Sequence, residues 1–89
     1  MSTRKLSIVL EALAKHENLN TLDFSFCSLD DSAGKVLKEF LKINTSLEHL
    51  ELQGNKLSGQ GCNELAIGLV NFKWNLKYLG INKIFIFFE

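Results

Sequence analysis

The sequence predicts an α/β repeat protein in which short strands alternate with helices at a fixed period. Three observations predict it. Residues 47–57, LEHLELQGNKL, carry leucines at their first, fourth, sixth and last positions and Asn55 at the ninth. Residues 19–29, LNTLDFSFCSL, repeat that layout with Phe24 in the third apolar slot and Cys27 in the ninth. A third copy opens at Leu76, with Leu79 and Ile81 in register, so the copies start at Leu19, Leu47 and Leu76, 28 and 29 residues apart. Self-similarity at such a period marks stacked units that bury a core between neighbours.

Each unit divides into a strand, a turn and a helix. The alternation of Leu50, Glu51 and Leu52 is the period of a half-buried strand, and Gly54 and Asn55 end it. After Leu29, Asp30-Asp31-Ser32 offers capping oxygens, and acidic side chains suit the positive end of a helix. Val36, Leu37, Phe40 and Leu41 then recur at helical spacing, with Lys35, Lys38, Glu39 and Lys42 on the other face. After Leu57, Ser58-Gly59-Gln60-Gly61 reads as a turn, and Cys62, Leu65, Ala66, Leu69 and Val70 form the next apolar stripe. Residues 71–75 lead back to the third strand; Trp74 there is either a plug at the corner or an exposed anchor.

Residues 1–18 read as half a unit. Ile8, Val9, Leu10, Ala12 and Leu13 form a helical stripe that Ser2 or Thr3 can cap. Leu13 stands before Leu19 as Leu41 stands before Leu47. One domain, 1–89, thus comprises a partial helix (1–18), units at 19–46 and 47–75, and an incomplete unit at 76–89, about two and a half repeats. At the last of these the pattern fails. Ile84 occupies the slot for Asn or Cys, and residues 85–88, FIFF, are apolar. A solenoid normally ends in a polar cap. This ending predicts a truncated chain or an apolar edge prone to self-association.

Composition narrows the function. Ten basic and ten acidic residues cancel, which argues against nucleic acid, whose binders carry a basic excess, and against an anionic membrane surface. No apolar run is long enough to span a bilayer, and Glu11, Lys15 and His16 interrupt any leader-like core in the first residues. The expected compartment is the cytoplasm, with both cysteines reduced. Asn44-Thr45-Ser46 matches a glycosylation sequon, without consequence in that compartment.

The eleven-residue unit resembles the leucine-rich repeat, L-x-x-L-x-L-x-x-N/C-x-L. Gly61, Leu65 and Leu69 continue it as the ribonuclease-inhibitor-type repeat does, while Gly34 in the preceding unit is displaced by one position. The resemblance covers residues 19–81 well. It implies a solenoid, a horseshoe fragment with short parallel strands on the concave face and helices on the convex one. Leu22, Phe24, Leu50, Leu52, Leu79 and Ile81 would then point inward. Asn55 would bond buried backbone at the turn. Cys27 in the same slot would be buried, packing mostly as an apolar residue.

The resemblance also implies where a partner would bind. The concave row is Thr21, Asp23, Ser25 and Phe26, then His49, Glu51 and Gln53, then Tyr78 with Gly80 and Asn82. Mildly acidic with aromatic anchors, it suits another protein. It equally fits a solvated strand face, and three strands are few against a standard interface. Other chemistry is weaker. His16, Cys27, His49 and Cys62 lack metal-site spacing. Cys27 with His49 suggests a nucleophile and base, but a core-slot cysteine should be inert. Asp23 with Glu51 suggests a carboxylate pair without a cleft. No phosphate-binding glycine motif is present.

The expected function is an intracellular interaction module or scaffold with no catalysis and no cofactor, binding another protein. The alternative is a fragment of a larger repeat protein, such as a NOD-like receptor or a Ran GTPase-activating-type regulator. The latter activity calls for an arginine on a loop of the array, and the sole arginine here is Arg4, in the N-terminal helix.

Overall fold

A computed structural model describes residues 1–71 and 76–80. Trp74, Ile81, Asn82, residues 85–88 and the side chain of Val70, all invoked above, lie outside them. Elements run in the order α1 (Thr3–Leu13), β1 (Thr21–Asp23), α2 (Asp31–Ile43), β2 (His49–Glu51), α3 (Gly59–Asn71) and β3 (Tyr78–Gly80). The strands form one parallel sheet in chain order, β1-β2-β3. Parallel neighbours need a long crossover, and each helix supplies one. The register aligns Thr21 with His49 and Tyr78, Leu22 with Leu50 and Leu79, and Asp23 with Glu51 and Gly80. The expected leucine-rich solenoid fragment, short parallel strands on one side and helices on the other, is what forms.

The core lies between the layers. Leu22, Phe24, Leu50 and Leu52 meet Leu6, Leu10, Ala33, Leu37, Leu41 and Leu65, all buried, with Leu79 partly so. Capping sets the helix starts. Ser2 Oγ accepts from the N–H of Lys5 at 3.2 Å, and Asp30 Oδ1 accepts from the N–H of Ser32 at 3.1 Å.

Asn55 is fully buried and bonded on every side. Its Oδ1 accepts from the N–H groups of Cys27 at 3.1 Å and Leu29 at 3.0 Å. Its Nδ2 donates to the carbonyls of Phe24 and Leu52, each at 2.9 Å. Three of these four partners belong to the preceding repeat, so one side chain ties two turns together. Cys27 is half-buried rather than buried. Its thiol donates weakly to the Ser25 carbonyl at 3.4 Å, as a small sulfur that cannot reach across to another layer must.

Three expectations about the helices need correction. The α1 stripe is Leu6, Leu10 and Ala14 with Leu13 partly covered, while Ile8, Val9 and Ala12 are exposed. The connection after α1 spans residues 14–20, whereas that after α2 spans 44–48. Val9 stands 28 residues before Leu37, yet Leu10 is buried and Val9 exposed. Gly59 and Gly61 are not turn residues but lie in the first turn of α3. Ala66, placed in the α3 stripe, is exposed, and its place is taken by Gly61 and Gly68, both buried.

The glycines let α2 and α3 approach. A Cβ on Gly34 would stand 2.3 Å from the Gly61 carbonyl oxygen, and one on Gly68 would stand 3.2 Å from the Lys38 Cα. Asp31, expected to serve its own helix, instead caps the next one. Its Oδ1 accepts from the N–H groups of Ser58 at 2.5 Å and Gly61 at 3.1 Å, and its Oδ2 from the Ser58 hydroxyl. Lys38 and Glu64 pair across the same seam at 2.5 Å.

Four stability outcomes follow from this packing. Asn55→Ala strands two N–H and two C=O groups, and a single buried group left unsatisfied costs about 1–3 kcal/mol. The urea midpoint of that variant should fall by at least as much, and Leu52→Ala should cost about 2–5 kcal/mol through its cavity. Gly34→Ala should lose about 1–3 kcal/mol by overpacking α3; an unchanged midpoint would remove the close approach. The Ser58 hydroxyl and N–H hold the Asp31 carboxyl below its ordinary value of 3.8. A carboxyl with a depressed folded-state pKa adds stability above its unfolded value and loses it as pH falls through the folded one. Thermal melts should therefore weaken from about pH 4 downward, and Asp31→Asn should flatten that dependence.

Candidate functional site

Every second residue of a strand faces away from the core, and the register gathers those residues into rows. Thr21, His49 and Tyr78 form one row; Asp23, Glu51 and Gly80 form the next. Thr21, Asp23 and Tyr78 are exposed, while His49, Glu51, Ser25 and Gln53 are half-covered by one another and by the loops. Of the residues the sequence placed on one face, the register sets Thr21 beside His49 and Tyr78, and Asp23 beside Glu51.

The rows are cross-linked. His49 Nε2 donates to Glu51 Oε1 at 2.9 Å, since an ionised carboxylate only accepts. The His49 and Tyr78 rings lie 4.4 Å apart at 31°. The other Glu51 oxygen, Oε2, lies in the space that a side chain at position 80 would fill, 1.9 Å from where its Cβ would stand. Gly80 is thus a notch that admits the carboxylate of the neighbouring strand. Asp23 Oδ1 accepts from the Ser25 hydroxyl at 2.5 Å and the Ser25 N–H at 2.9 Å. Those bonds, with a smaller contribution from His49, hold its carboxyl below the usual range.

Above the strands, the two loops show a shared constraint. Phe26 and Gly54 occupy the same repeat slot and both have left-handed backbone, with φ of 53° and 75°. Glycine adopts that conformation freely, whereas a bulky residue there is uncommon and strained. The Phe26 ring covers Gly54, with its Cδ1 2.2 Å from where a Cβ on Gly54 would lie, yet Phe26 remains 65 % exposed. An exposed aromatic held on strained backbone is a feature that packing alone does not explain.

The remaining candidates are not brought into a reactive arrangement. Among the described residues no group of three or more His, Cys, Asp or Glu side chains is placed to hold a metal ion. Arg4 lies exposed in the first turn of α1 rather than on a loop. Cys62 is half-buried, and burial with the nearby Asp31 charge pushes its thiol up, away from the reactive thiolate. A groove opens on the helix side, between α1 and α2. It has a volume of about 360 Å³ and includes Leu10, Ala14, Val36, Phe40 and Ile43 in its lining.

Sequence reasoning missed Asn44. It is 3 % exposed, and it closes the corner between α2 and β2. Its Nδ2 donates to the carbonyls of Leu13 at 3.3 Å and His16 at 3.2 Å in the preceding unit. Its Oδ1 accepts from the N–H groups of Ser46 at 3.0 Å and Leu47 at 2.9 Å. The available signal was an asparagine at a helix C-cap, three residues before the strand leucine. The sequon at Asn44 is therefore shut in the fold, its amide nitrogen already engaged.

A glycine at position 26 would relieve the backbone and remove only a mostly exposed ring. Phe26→Gly should leave the unfolding free energy within about 1 kcal/mol of the parent. A loss of several kcal/mol would mean that the ring holds the two loops together.

Comparison with known families agrees with this architecture. A family model described as leucine-rich repeat matches residues 15–38 and 44–66, just over half of the chain. Domains of this family generally bind other proteins and are typically non-catalytic. Repeat period, parallel register, the bridging asparagine and this match converge: the chain belongs to the leucine-rich repeat family.

Proposed function

We propose that the strand face is a docking surface for another protein. The chain then acts as an interaction module or scaffold in the cytoplasm, without chemistry of its own. The observation that carries this reading is Phe26, a large aromatic kept in solvent at a slot where the backbone favours glycine. Tyr78, 51 % exposed at the far end of the same face, supports it. Aromatic side chains bring large contact area at low entropic cost and dominate interface energetics. The ribonuclease-inhibitor-like subtype is supported by the 28- and 29-residue period, and by helices of 13 residues in α2 and α3.

The test compares cross-linked partners of the chain, of a Phe26→Ser/Tyr78→Ser variant and of an Ile8→Ser variant altered on the helix side. A partner bound through the strand face should be lost with the first variant and kept with the second. The reverse pattern would move the interface to the helices and defeat the proposal. The expected loss is about 2 kcal/mol or more in binding, the scale of an aromatic hot spot.

A further inference from the structure

Among the described residues, the outward strand positions carry two carboxylates, Asp23 and Glu51, and no lysine or arginine. Together with the two loop positions that continue the alternation they are Thr21, Asp23, Ser25, His49, Glu51, Gln53, Tyr78 and Gly80, and none of these eight is lysine or arginine; Lys56 stands further along the loop after β2. Chain-wide the charges balance, so the asymmetry belongs to this face. Lys77, beside Tyr78 in sequence, does not offset it, because its ammonium pairs with Glu48 at 3.5 Å. Asp23 is fixed by Ser25 through one oxygen only. Glu51 is fixed by His49 through Oε1, which leaves Oε2 turned over the Gly80 notch.

Resting on the docking reading above, we infer that the occupant of this face is a basic segment of a partner protein. An arginine of that segment lies against the Tyr78 ring and pairs with Glu51 over Gly80, and Asp23 receives a second cation. The geometry matches this side chain. Residues 78 and 80 are two apart on one strand, about 6.6 Å along its axis, a distance an extended arginine spans. Its planar guanidinium can lie on an aromatic ring while its N–H fork meets a carboxylate. Phe26, on the loop above, offers an apolar contact to the residue that flanks the arginine. Gly80 gives the Glu51 carboxylate its place, since any side chain there would displace it.

The experiment uses the full chain and three labelled short peptides of alternating residues: arginine with glycine, its citrulline analogue of the same shape without charge, and its glutamate analogue. Binding is followed by anisotropy for the parent, for Asp23→Asn/Glu51→Gln, and for Tyr78→Ser and Phe26→Ser. Both amide substitutions are isosteric, and circular dichroism confirms the fold. The arginine peptide should bind, lose about five- to tenfold in affinity with the amide variant, and weaken as salt is raised. Citrulline and glutamate peptides should bind more weakly. Absence of arginine-peptide binding, or binding indifferent to the amide variant, overturns the basic partner. If the citrulline or glutamate peptide binds instead and Tyr78→Ser abolishes it, the face remains a docking surface of a different chemistry. If all binding survives both serine variants, the docking reading fails as well.

Discussion

The structure depends on the side-chain amide of Asn55. Strands of three residues cannot hold a sheet together by their own ladder for long. Where each strand turns toward its helix, N–H and C=O groups enter the interior with no strand to meet. One amide has two donor and two acceptor sites, and here all are used on two carbonyls and two N–H groups from adjacent layers. Leaving those groups bare would be expensive in a core this small. The bond set also fixes how one repeat sits on the next, which carries the strand rows into alignment. Phe26 gains its place from the same network, since its N–H donates to the Gln53 carbonyl at 2.9 Å beside Asn55.

The helix layer is governed by a different constraint, which is size. Gly34, Gly61 and Gly68 let α2 and α3 touch through backbone, and Asp31 and the Lys38–Glu64 pair lock that seam. Between α1 and α2 no such glycine exists. Phe40 stands 28 residues before Gly68, in the equivalent position, and Ala33 stands 28 before Gly61. A phenylalanine where the next seam has a glycine keeps α1 at a distance, and the groove between the two helices is the remainder. The stack is therefore unevenly bound. Its α2–α3 side is closed through backbone, while α1 is attached by Leu6, Leu10 and Ala14, the Thr3–Ser32 hydroxyl pair, and the Asn44 and Ser46 bonds to the carbonyls of Leu13 and His16. Segments with fewer buried contacts open first, so α1 is the element from which unfolding should start.

What the sequence shows, and what it hides, follows from the range of each interaction. The strand register was legible because its period is two and a slip would turn every leucine outward; Leu22, Leu50 and Leu79 align as read. Asn55 was legible because its slot recurs at fixed distance from the leucines. The phase of α1 was not. Leu6 and Leu10 compete with Ile8 and Val9 for the buried stripe, and the connection at residues 14–20, longer than that at 44–48, breaks the 28-residue correspondence between α1 and α2. Asp31 looked like a cap for its own helix, because nothing local reveals that Ser58 and Gly61 of the next repeat lie nearer. Gly61 looked like a turn for the same reason. Of the face itself, the membership was legible from alternation, while the Glu51 carboxylate over Gly80 and the strain at Phe26 required coordinates.

That strain separates the two meanings a strand face can have. Core positions of the repeat are set by packing, whereas outward positions and loops are not. A merely solvated face would be free to take the residue that suits the backbone best, and at the left-handed slot that residue is glycine, as Gly54 shows one repeat later. Phe26 departs from it at a cost of about 1–2 kcal/mol in backbone energy, and it lies on Gly54 while most of its surface stays exposed. On the docking reading, a contact made outside the chain would offset that cost in a chain of 89 residues, where the stability margin is thin. The same logic applies to Gly80. It weakens a strand that packing would prefer to fill, and what it provides in return is room for a carboxylate.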